Sequence, residues 1–299
     1  MKIFITGGTG FIGSKLTNFL HSHGHEVVLL LRPSEARRHL GNGFAKVVGE
    51  STEPGPWQEA VCLCDAAINL AGRPIAGKWD KAAKEEIRSS RILTTKNLVD
   101  AIPSGSGFRL LSTSAVGYYG DGGEALLDES APGGSDFLAT VARDWETEAM
   151  RAADKGAAVA ITRFAIVLGR DGGALLELEK VTRRFAAGPI GGGRQWFSWI
   201  HIEDLLRALL FLIENPKITG PVNLCSPFAV RQGDFASRLA QKLHRPALLP
   251  TPAFALRMVL GEFADTLLFS QRMVPKKLDS AGFAFLYPEM EQALDRIYR

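Results

Sequence analysis

Residues 2–13, KIFITGGTGFIG, join a short apolar run to three glycines spaced three residues apart. Ile3 to Thr6 has the composition of a buried strand, and from Ile12 the apolar residues recur with helical spacing as far as Gly24. The segment therefore predicts a β-strand, a tight glycine turn and an α-helix. This is the phosphate-binding turn of a dinucleotide-binding βαβ unit.

Each glycine of this turn has a separate physical role. Gly7 permits the sharp exit from the strand, Gly10 lets backbone N–H groups approach a pyrophosphate, and Gly13 lets the helix lie close to the sheet. The positive end of the helix dipole favours the anion. We expect the cofactor to contact Gly7, Thr9, Gly10, Phe11, Ile12 and Gly13.

The second predicted strand, residues 27–31, ends at Arg32 and is followed by Pro33 and Ser34. About 20 residues after the glycine turn, NAD-binding chains carry an acidic residue that accepts the ribose 2′-OH. A guanidinium at that position matches a 2′-phosphate in charge and geometry. Arg32 and Ser34 therefore favour NADP(H), with Arg37 and Arg38 as further cations. The alternative is that Arg32 is a plain surface charge.

Further buried strands are predicted at residues 66–70, 110–112 and 158–162, separated by helical patterns at 81–102 and 137–155. This alternation predicts an α/β fold, a Rossmann-like doubly wound parallel sheet. A glycine-rich stretch begins at Gly188, after which the patterns shorten and prolines recur. We predict a dinucleotide-binding domain at 1–187 and a smaller, substrate-side region at 188–299, with some later segments returning to the first.

Composition excludes several classes of protein. The 35 Lys and Arg against 32 Asp and Glu give a net charge of +3, too little excess for a nucleic-acid binder. Three cysteines form neither a disulfide framework nor a structural zinc site, so no metal is predicted. No apolar run suits a signal peptide or a membrane span, and we expect a cytoplasmic protein without a membrane partner.

Five longer strings carry a family resemblance: NLAGRPIAGKW at 69–79, SAVGYYGD at 114–121, DFLATVARDWE at 136–146, GGGRQWFSWIHIEDL at 191–205 and VPKKLDSAGFAFLYP at 274–288. With the glycine turn, they resemble the extended short-chain dehydrogenases/reductases. The chain is most similar to the atypical "epimerase family" branch, which includes a human member. The resemblance runs from Met1 to about Leu294.

The resemblance implies an NADP(H) cofactor and a small-molecule substrate, such as a nucleotide sugar or a carbonyl compound, and allows an oligomer. It implies that Leu70, Ala71 and Gly72 contact the cofactor, with Ser112 and Ser114 beside the nicotinamide. Arg91 falls where relatives often place a cofactor-proximal asparagine. The stretch from Phe164 to Val167 would pass near the carboxamide.

The chain departs from the family in its catalytic pair. Short-chain reductases use Tyr-x-x-x-Lys to place a proton donor whose pKa is lowered by the lysine, and the pattern is absent here, with Leu138 and Ala142 at the aligned positions. The remaining candidates for polarising a carbonyl or moving a proton are Ser114, Tyr118, Tyr119 and His201. The tyrosines could instead wall the pocket, and His201 could pack or cap a helix.

Three other residues keep two interpretations each. Arg163 and Arg194 could meet a nucleotide or phosphorylated substrate, or form ion pairs, and Trp196 could stack on a ring or fill a gap between domains. Glu146 is expected on a solvated helix face. The sequence predicts an NADP(H)-dependent oxidoreductase or epimerase-like enzyme, with a non-catalytic NADP(H)-binding sensor as the alternative.

Overall fold

The computed structural model describes residues 1–37, 43–184, 188–246 and 250–299, so Arg38 lies outside the described residues. In the described part, the strands are β1 Lys2–Thr6, β2 Glu26–Leu31, β3 Ala45–Val48, β4 Ala66–Asn69, β5 Arg109–Ala115, β6 Leu126–Leu127, β7 Ala158–Phe164, β8 Ile166–Leu168, β9 Trp196–Phe197, β10 Trp199–His201, β11 Gly220–Leu224, β12 Val230–Arg231 and β13 Arg272–Met273. The helices are α1 Phe11–Ser22, α2 Trp57–Cys62, α3 Lys81–Ala101, α4 Phe137–Asp154, α5 Gly173–Arg183, α6 Ile202–Glu214, α7 Gln232–Lys242, α8 Ala253–Leu260, α9 Phe263–Leu268, α10 Lys276–Ser280 and α11 Met290–Tyr298.

The central sheet has seven parallel strands in the order β11-β7-β5-β4-β1-β2-β3. Its inner strands are apolar on both faces because helices cover both. One face packs against α1 and α6, and the other against α2, α3 and α4. The order reverses between β1 and β4, and this switch point is where open α/β sheets bind ligands. The predicted doubly wound fold is confirmed.

The segments after Ala165 contribute to two layers. Helix α6 and strand β11 belong to the central sheet and its core, whereas α5, α7, β10 and α11 share another core around Trp199. The predicted division at 187/188 stays a prediction. The apolar stretch 252–269 forms two helices, α8 and α9, which meet at Gly261 with a φ of +61°.

Two short strand pairs tie the C-terminal segments to the carboxyl end of the sheet. Strand β8 pairs with β10, and β6 pairs with β13, both in parallel. No helix in the described ranges combines the length and apolar character needed to cross a bilayer.

Candidate functional site

The glycine turn has the geometry that its sequence predicts. Gly7 has a φ of +69°, and a Cβ there would lie 2.8 Å from the carbonyl carbon of Leu70. A Cβ on Gly13 would collide with the carbonyl oxygen of Gly7. By contrast, a Cβ on Gly10 would approach only that same oxygen, at 3.4 Å, and would fill open space. The open space over Gly10 is a cradle of the kind that a pyrophosphate occupies.

The start of α1 leaves backbone donors for an anion. Gly10 is its N-terminal cap and provides no side chain, so the first amides have no side-chain acceptor from this residue. The Phe11 ring packs against the loop containing Gly172 and Gly173, and Ile12 packs against the sheet core. Phe11 and Ile12 are therefore placed to serve the turn through their backbone.

The turn after β4 is fastened to the end of β1. The Ala71 amide donates to Thr6 Oγ1 at 3.3 Å, while Thr6 Oγ1 donates to Asn69 Oδ1 at 2.6 Å. Since Gly7 touches both Leu70 and Ala71, the two turns form one continuous wall at the switch point.

Arg91 lies beside this wall with its guanidinium against Gly72. It donates to the backbone carbonyls of Ile87 at 2.9 Å and Arg73 at 3.0 Å, and it forms no ion pair with a described residue. Burial lowers the pKa of Arg91 to about 10, so it stays a cation at neutral pH. A half-buried cation without a carboxylate partner among the described residues favours an anionic ligand.

Arg32 follows the carboxyl end of β2, and Ser34 is exposed in the adjoining 3₁₀ turn, Pro33–Glu35. The position also has a carboxylate that the sequence argument did not weigh. Arg32 Nε donates to Glu35 Oε2 at 3.1 Å, and Thr9 Oγ1 donates to Glu35 Oε1 at 3.0 Å. These hydrogen bonds, that from Arg32 first, lower the pKa of Glu35, so the carboxylate is ionised at neutral pH.

The predicted nicotinamide-side residues are divided between the core and the cleft. Ser112 is buried and accepts a 3.5 Å hydrogen bond from Asn69, while Phe164 is buried in the core beneath α6. Val167 is half-buried in β8. Thr113, on the opposite face of β5 from Ser112, has a buried Oγ1 with no hydrogen-bond partner in the described ranges. This hydroxyl can receive a ligand's hydrogen bond.

Ser114 belongs to a buried ionic network instead of facing open space. It is fully buried, and its hydroxyl donates to Glu146 Oε1 at 2.6 Å. Arg163, beside Ser114 in the sheet register, makes two 2.8 Å hydrogen bonds to the same carboxylate. Glu146, expected on a solvated helix face, is instead 11% exposed and joins α4 to β5 and β7. That expectation was wrong because α4 turns this residue toward the sheet.

The two tyrosines have different environments. The Tyr119 hydroxyl donates to Asn223 Oδ1 at 2.7 Å and accepts from Arg163 at 3.0 Å, and burial raises its pKa to about 12. Tyr118 is half-buried, with the Arg163 guanidinium 3.5 Å above its ring centre. Within the described ranges, no residue accepts from or donates to the Tyr118 hydroxyl.

His201 is the N-terminal cap of α6. Its Nδ1 accepts from the Glu203 amide at 3.2 Å, and its ring packs on Tyr287 with centroids 4.3 Å apart. Burial lowers the pKa of His201 to about 4, so the ring is neutral at pH 7. This geometry favours the capping role over proton transfer.

The structure thus brings the glycine turn, the Leu70–Gly72 turn and Arg91 together at the switch point, with Arg32 at its rim. Anion-binding amides, the Arg91 cation and an open glycine cradle fit a nicotinamide dinucleotide. Fold and site together define a Rossmann-type dinucleotide-binding protein. The chain belongs to the NAD dependent epimerase/dehydratase family, whose model matches residues 3–225. A second model, a domain of unknown function, matches 251–297.

Similar proteins carry related names. The chain is 38% identical to the chloroplastic "Epimerase family protein SDR39U1 homolog" of Arabidopsis thaliana, over 99% of this chain and 86% of that protein. A crystal structure of human epimerase family protein SDR39U1 (isoform 2) with NADPH is 32% identical, with a TM-score of 0.87, covering 100% of this chain and 99% of the other. A nucleoside-diphosphate sugar epimerase from Corynebacterium glutamicum is 31% identical, with a TM-score of 0.80, covering 100% and 58% of the two chains.

Sequence reasoning missed three features of the site. Glu35 could have been found as a carboxylate three residues after Arg32. Glu146 and Arg163 are 17 positions apart on a helix and a strand, so no local pattern connects them. Thr113 was passed over because the serines on either side of it matched the family.

Proposed function

We propose that this protein is an NADP(H)-dependent oxidoreductase or epimerase-like enzyme acting on a small molecule, a nucleotide sugar or another carbonyl compound. The glycine cradle, Arg91 and Arg32 support the cofactor assignment, with the Arg32 position carrying the preference for NADP(H). The nicotinamide supplies hydride chemistry when bound, and the protein's contribution is orientation and proton transfer.

Arg32 carries the cofactor proposal because its guanidinium can form charge-assisted hydrogen bonds with a 2′-phosphate. Its side chain is 64% exposed and therefore accessible to an incoming ligand, whereas that of its partner Glu35 is 15% exposed. On binding NADP(H), Arg32 would exchange the Glu35 carboxylate for the phosphate. NADH offers it only a hydroxyl.

The test is a fluorescence titration of NADPH and NADH against the wild type and Arg32→Ala. We expect the variant to lose about tenfold or more in NADPH affinity and little for NADH, because only the charge-assisted contact is removed. Arg183→Ala is a matched control, since Arg183 is also exposed and paired with a carboxylate, Glu179. Equal losses for both cofactors would contradict the 2′-phosphate assignment.

For proton transfer, we propose Tyr118. Ser114, Tyr119 and His201 are engaged by Glu146, Asn223 and the α6 amide, respectively. The Tyr118 hydroxyl makes no hydrogen bond to a described residue, and its ring is held under the Arg163 guanidinium, 3.5 Å from the ring centre, so it is the candidate left to meet a substrate. We expect Tyr118→Phe to abolish NADPH oxidation by an active carbonyl or nucleotide-sugar substrate while NADPH binding is retained.

The second candidate function is a non-catalytic NADP(H)-binding sensor. The engagement of three of the four proton-transfer candidates favours it. A panel of aldehydes, ketones and nucleotide sugars, assayed for NADPH oxidation, separates the two. Tight NADPH binding with no oxidation by any member would favour the sensor.

We also propose a cytoplasmic location for this protein. The thiols of Cys62, Cys64 and Cys225 are free, which suits a reducing compartment. Fractionation of cells expressing the chain with an epitope tag would test the location, and recovery from a membrane or secreted fraction would contradict it.

A further inference from the structure

Two arginines lie over the Trp196 ring near the carboxyl end of the sheet. The guanidinium carbon of Arg231 lies 3.8 Å from its ring centre, and that of Arg272 lies 4.2 Å from it. The three side chains come from β9, β12 and β13, which are far apart in sequence. Two cations over one indole form a preorganised site for negative charge.

Glu124 supplies a carboxylate to this cluster. Its two oxygens accept from Arg231 at 2.9 Å and 2.8 Å, and one also accepts from Trp196 Nε1 at 2.9 Å. The Arg231 hydrogen bonds lower the pKa of Glu124 to about 2. Glu124 is 72% exposed, so its place is open to exchange with a dissolved anion.

The cluster is connected to the predicted catalytic segment. Gln271 Nε2, next to Arg272, donates to Val116 O at 3.1 Å and Gly120 O at 2.9 Å. These carbonyls flank Tyr118 at the carboxyl end of β5. A ligand on Trp196 and its arginines would therefore lie on the side of the sheet where α/β proteins bind substrates.

The cluster contains more arginine side chains than carboxylates that pair with them. Within the described residues, Glu124 is the one carboxylate in ion-pair contact with Arg231, and neither Arg194 nor Arg272 makes an ion pair. Arg231 also donates to the Arg194 carbonyl, which places the Arg194 backbone against the cluster. Arg272 is half-buried and stacks on Trp196 without a carboxylate partner among the described residues, so it remains able to bind an anion.

We infer that Arg231, Trp196 and Arg272 form a subsite for an anionic group of the substrate, a carboxylate or a phosphate, which takes the place of Glu124. Glu124 shows the binding geometry: two hydrogen bonds from Arg231 and one from the indole. The substrate is thus a small molecule with a negative group remote from its reacting carbon. The inference rests on the proposed function, because it assigns this subsite to the substrate of the same cleft.

The test compares three probes that share one sugar: glucuronate, glucose 6-phosphate and neutral glucose. Each is titrated by ligand-observed NMR into the protein, with and without saturating NADPH. The variants are Arg272→Gln, Glu124→Gln and a control, Arg257→Gln, whose exposed side chain pairs with Asp265 and not with a member of the cluster. The tighter of the two anions identifies the carboxylate or the phosphate as the preferred group.

We expect at least one anion to bind the wild type about tenfold more tightly than glucose. Arg272→Gln should remove that preference, Glu124→Gln should strengthen it by freeing Arg231, and Arg257→Gln should change nothing. Equal binding of all three probes, or an unchanged preference in both cluster variants, would overturn the subsite. A separate NADPH titration of each protein distinguishes failure of the subsite from failure of the proposed function. If the wild type does not bind NADPH, the proposed function alone is contradicted.

Discussion

Glu35 places a single carboxylate where it can discriminate between the two nicotinamide cofactors. It is ionised and bonded to Arg32 and Thr9. A 2′-phosphate near Arg32 is repelled by this charge, whereas a ribose 2′-OH can donate to it. To bind NADP(H), Arg32 would have to release the Glu35 carboxylate and pair with the 2′-phosphate instead. The nearby Glu35 charge then lowers the affinity for NADP(H).

We therefore predict that Glu35→Gln raises NADPH affinity about fivefold, which is about 1 kcal/mol, with no gain for NADH. Parallel fluorescence titrations of both cofactors measure it. A loss of NADH affinity without a gain for NADPH would identify Glu35 as a ribose acceptor and indicate NAD as the cofactor.

The adjacent tyrosines should separate stability from activity. Tyr119→Phe removes a buried hydroxyl that bonds Asn223 and Arg163, so we expect the free energy of unfolding to fall by about 1–3 kcal/mol. Tyr118→Phe removes a hydroxyl without a bond to any described residue and should cost less than about 0.5 kcal/mol. Urea unfolding of both variants checks this. An equal cost for the two would show that the Tyr118 hydroxyl is structural.

At the level of secondary structure, the N-terminal cap of α6, His201, makes the stability of the protein depend on pH. In the folded protein, the pKa of His201 is lowered from 6.5 to about 4. Between these pH values the unfolded chain binds a proton at His201 and the folded chain does not. Neutral His201 contributes fully to the free energy of unfolding above about pH 6.5. This stability is lost as the pH falls toward 4, by about 3 kcal/mol in all.

His201→Asn keeps a side-chain acceptor for the α6 amide and removes the titrating group. We expect the variant to lose less stability than the wild type between pH 7.5 and pH 5 in urea unfolding. His21→Asn, at an exposed position on α1, is the control for replacing a histidine with asparagine. Parallel pH dependence of all three proteins would show that His201 is protonated in the fold.

The sequence predicted the strands and helices that have strong local patterns. Strands β1, β2, β4, β5 and β7 are largely buried, and α1, α3 and α4 lie within two residues of their predicted ends. Strand β11 was missed because it begins Gly-Pro at an edge, and β3 because it is short and largely exposed. Both occupy edges of the sheet, where strands are less buried and therefore need a less continuous apolar pattern.

The site was predictable to the extent that its chemistry is local. Gly7, Gly10 and Gly13 act within one turn, so their spacing was sufficient. The network of Ser114, Glu146 and Arg163 depends on which face of α4 meets which strand, and that is a property of topology. The same reason hid the arginine cluster, whose members converge from three separate strands.

For the whole molecule, the question is whether residues 188–299 unfold separately. Helix α6 and β11 complete the central sheet, with Leu209 and Val222 fully buried in its core. Helices α5, α7 and α11 pack around Trp199, the first residue of β10, and β10 leads directly into α6. Strand β10 contributes Trp199 to one core and Ile200 to the other, so neither core can unfold without disturbing the other.

We therefore predict one calorimetric transition whose van't Hoff and calorimetric enthalpies agree. NADPH at about 100 times its Kd should stabilise the whole transition by about 2.7 kcal/mol, because ligand binding to the native state acts on everything that unfolds with it. Arg32→Ala, compared at the same NADPH concentration, should show a smaller shift, which ties the effect to the cofactor site. Two transitions, of which NADPH moves only one, would instead establish 188–299 as a domain that unfolds independently of the dinucleotide-binding sheet.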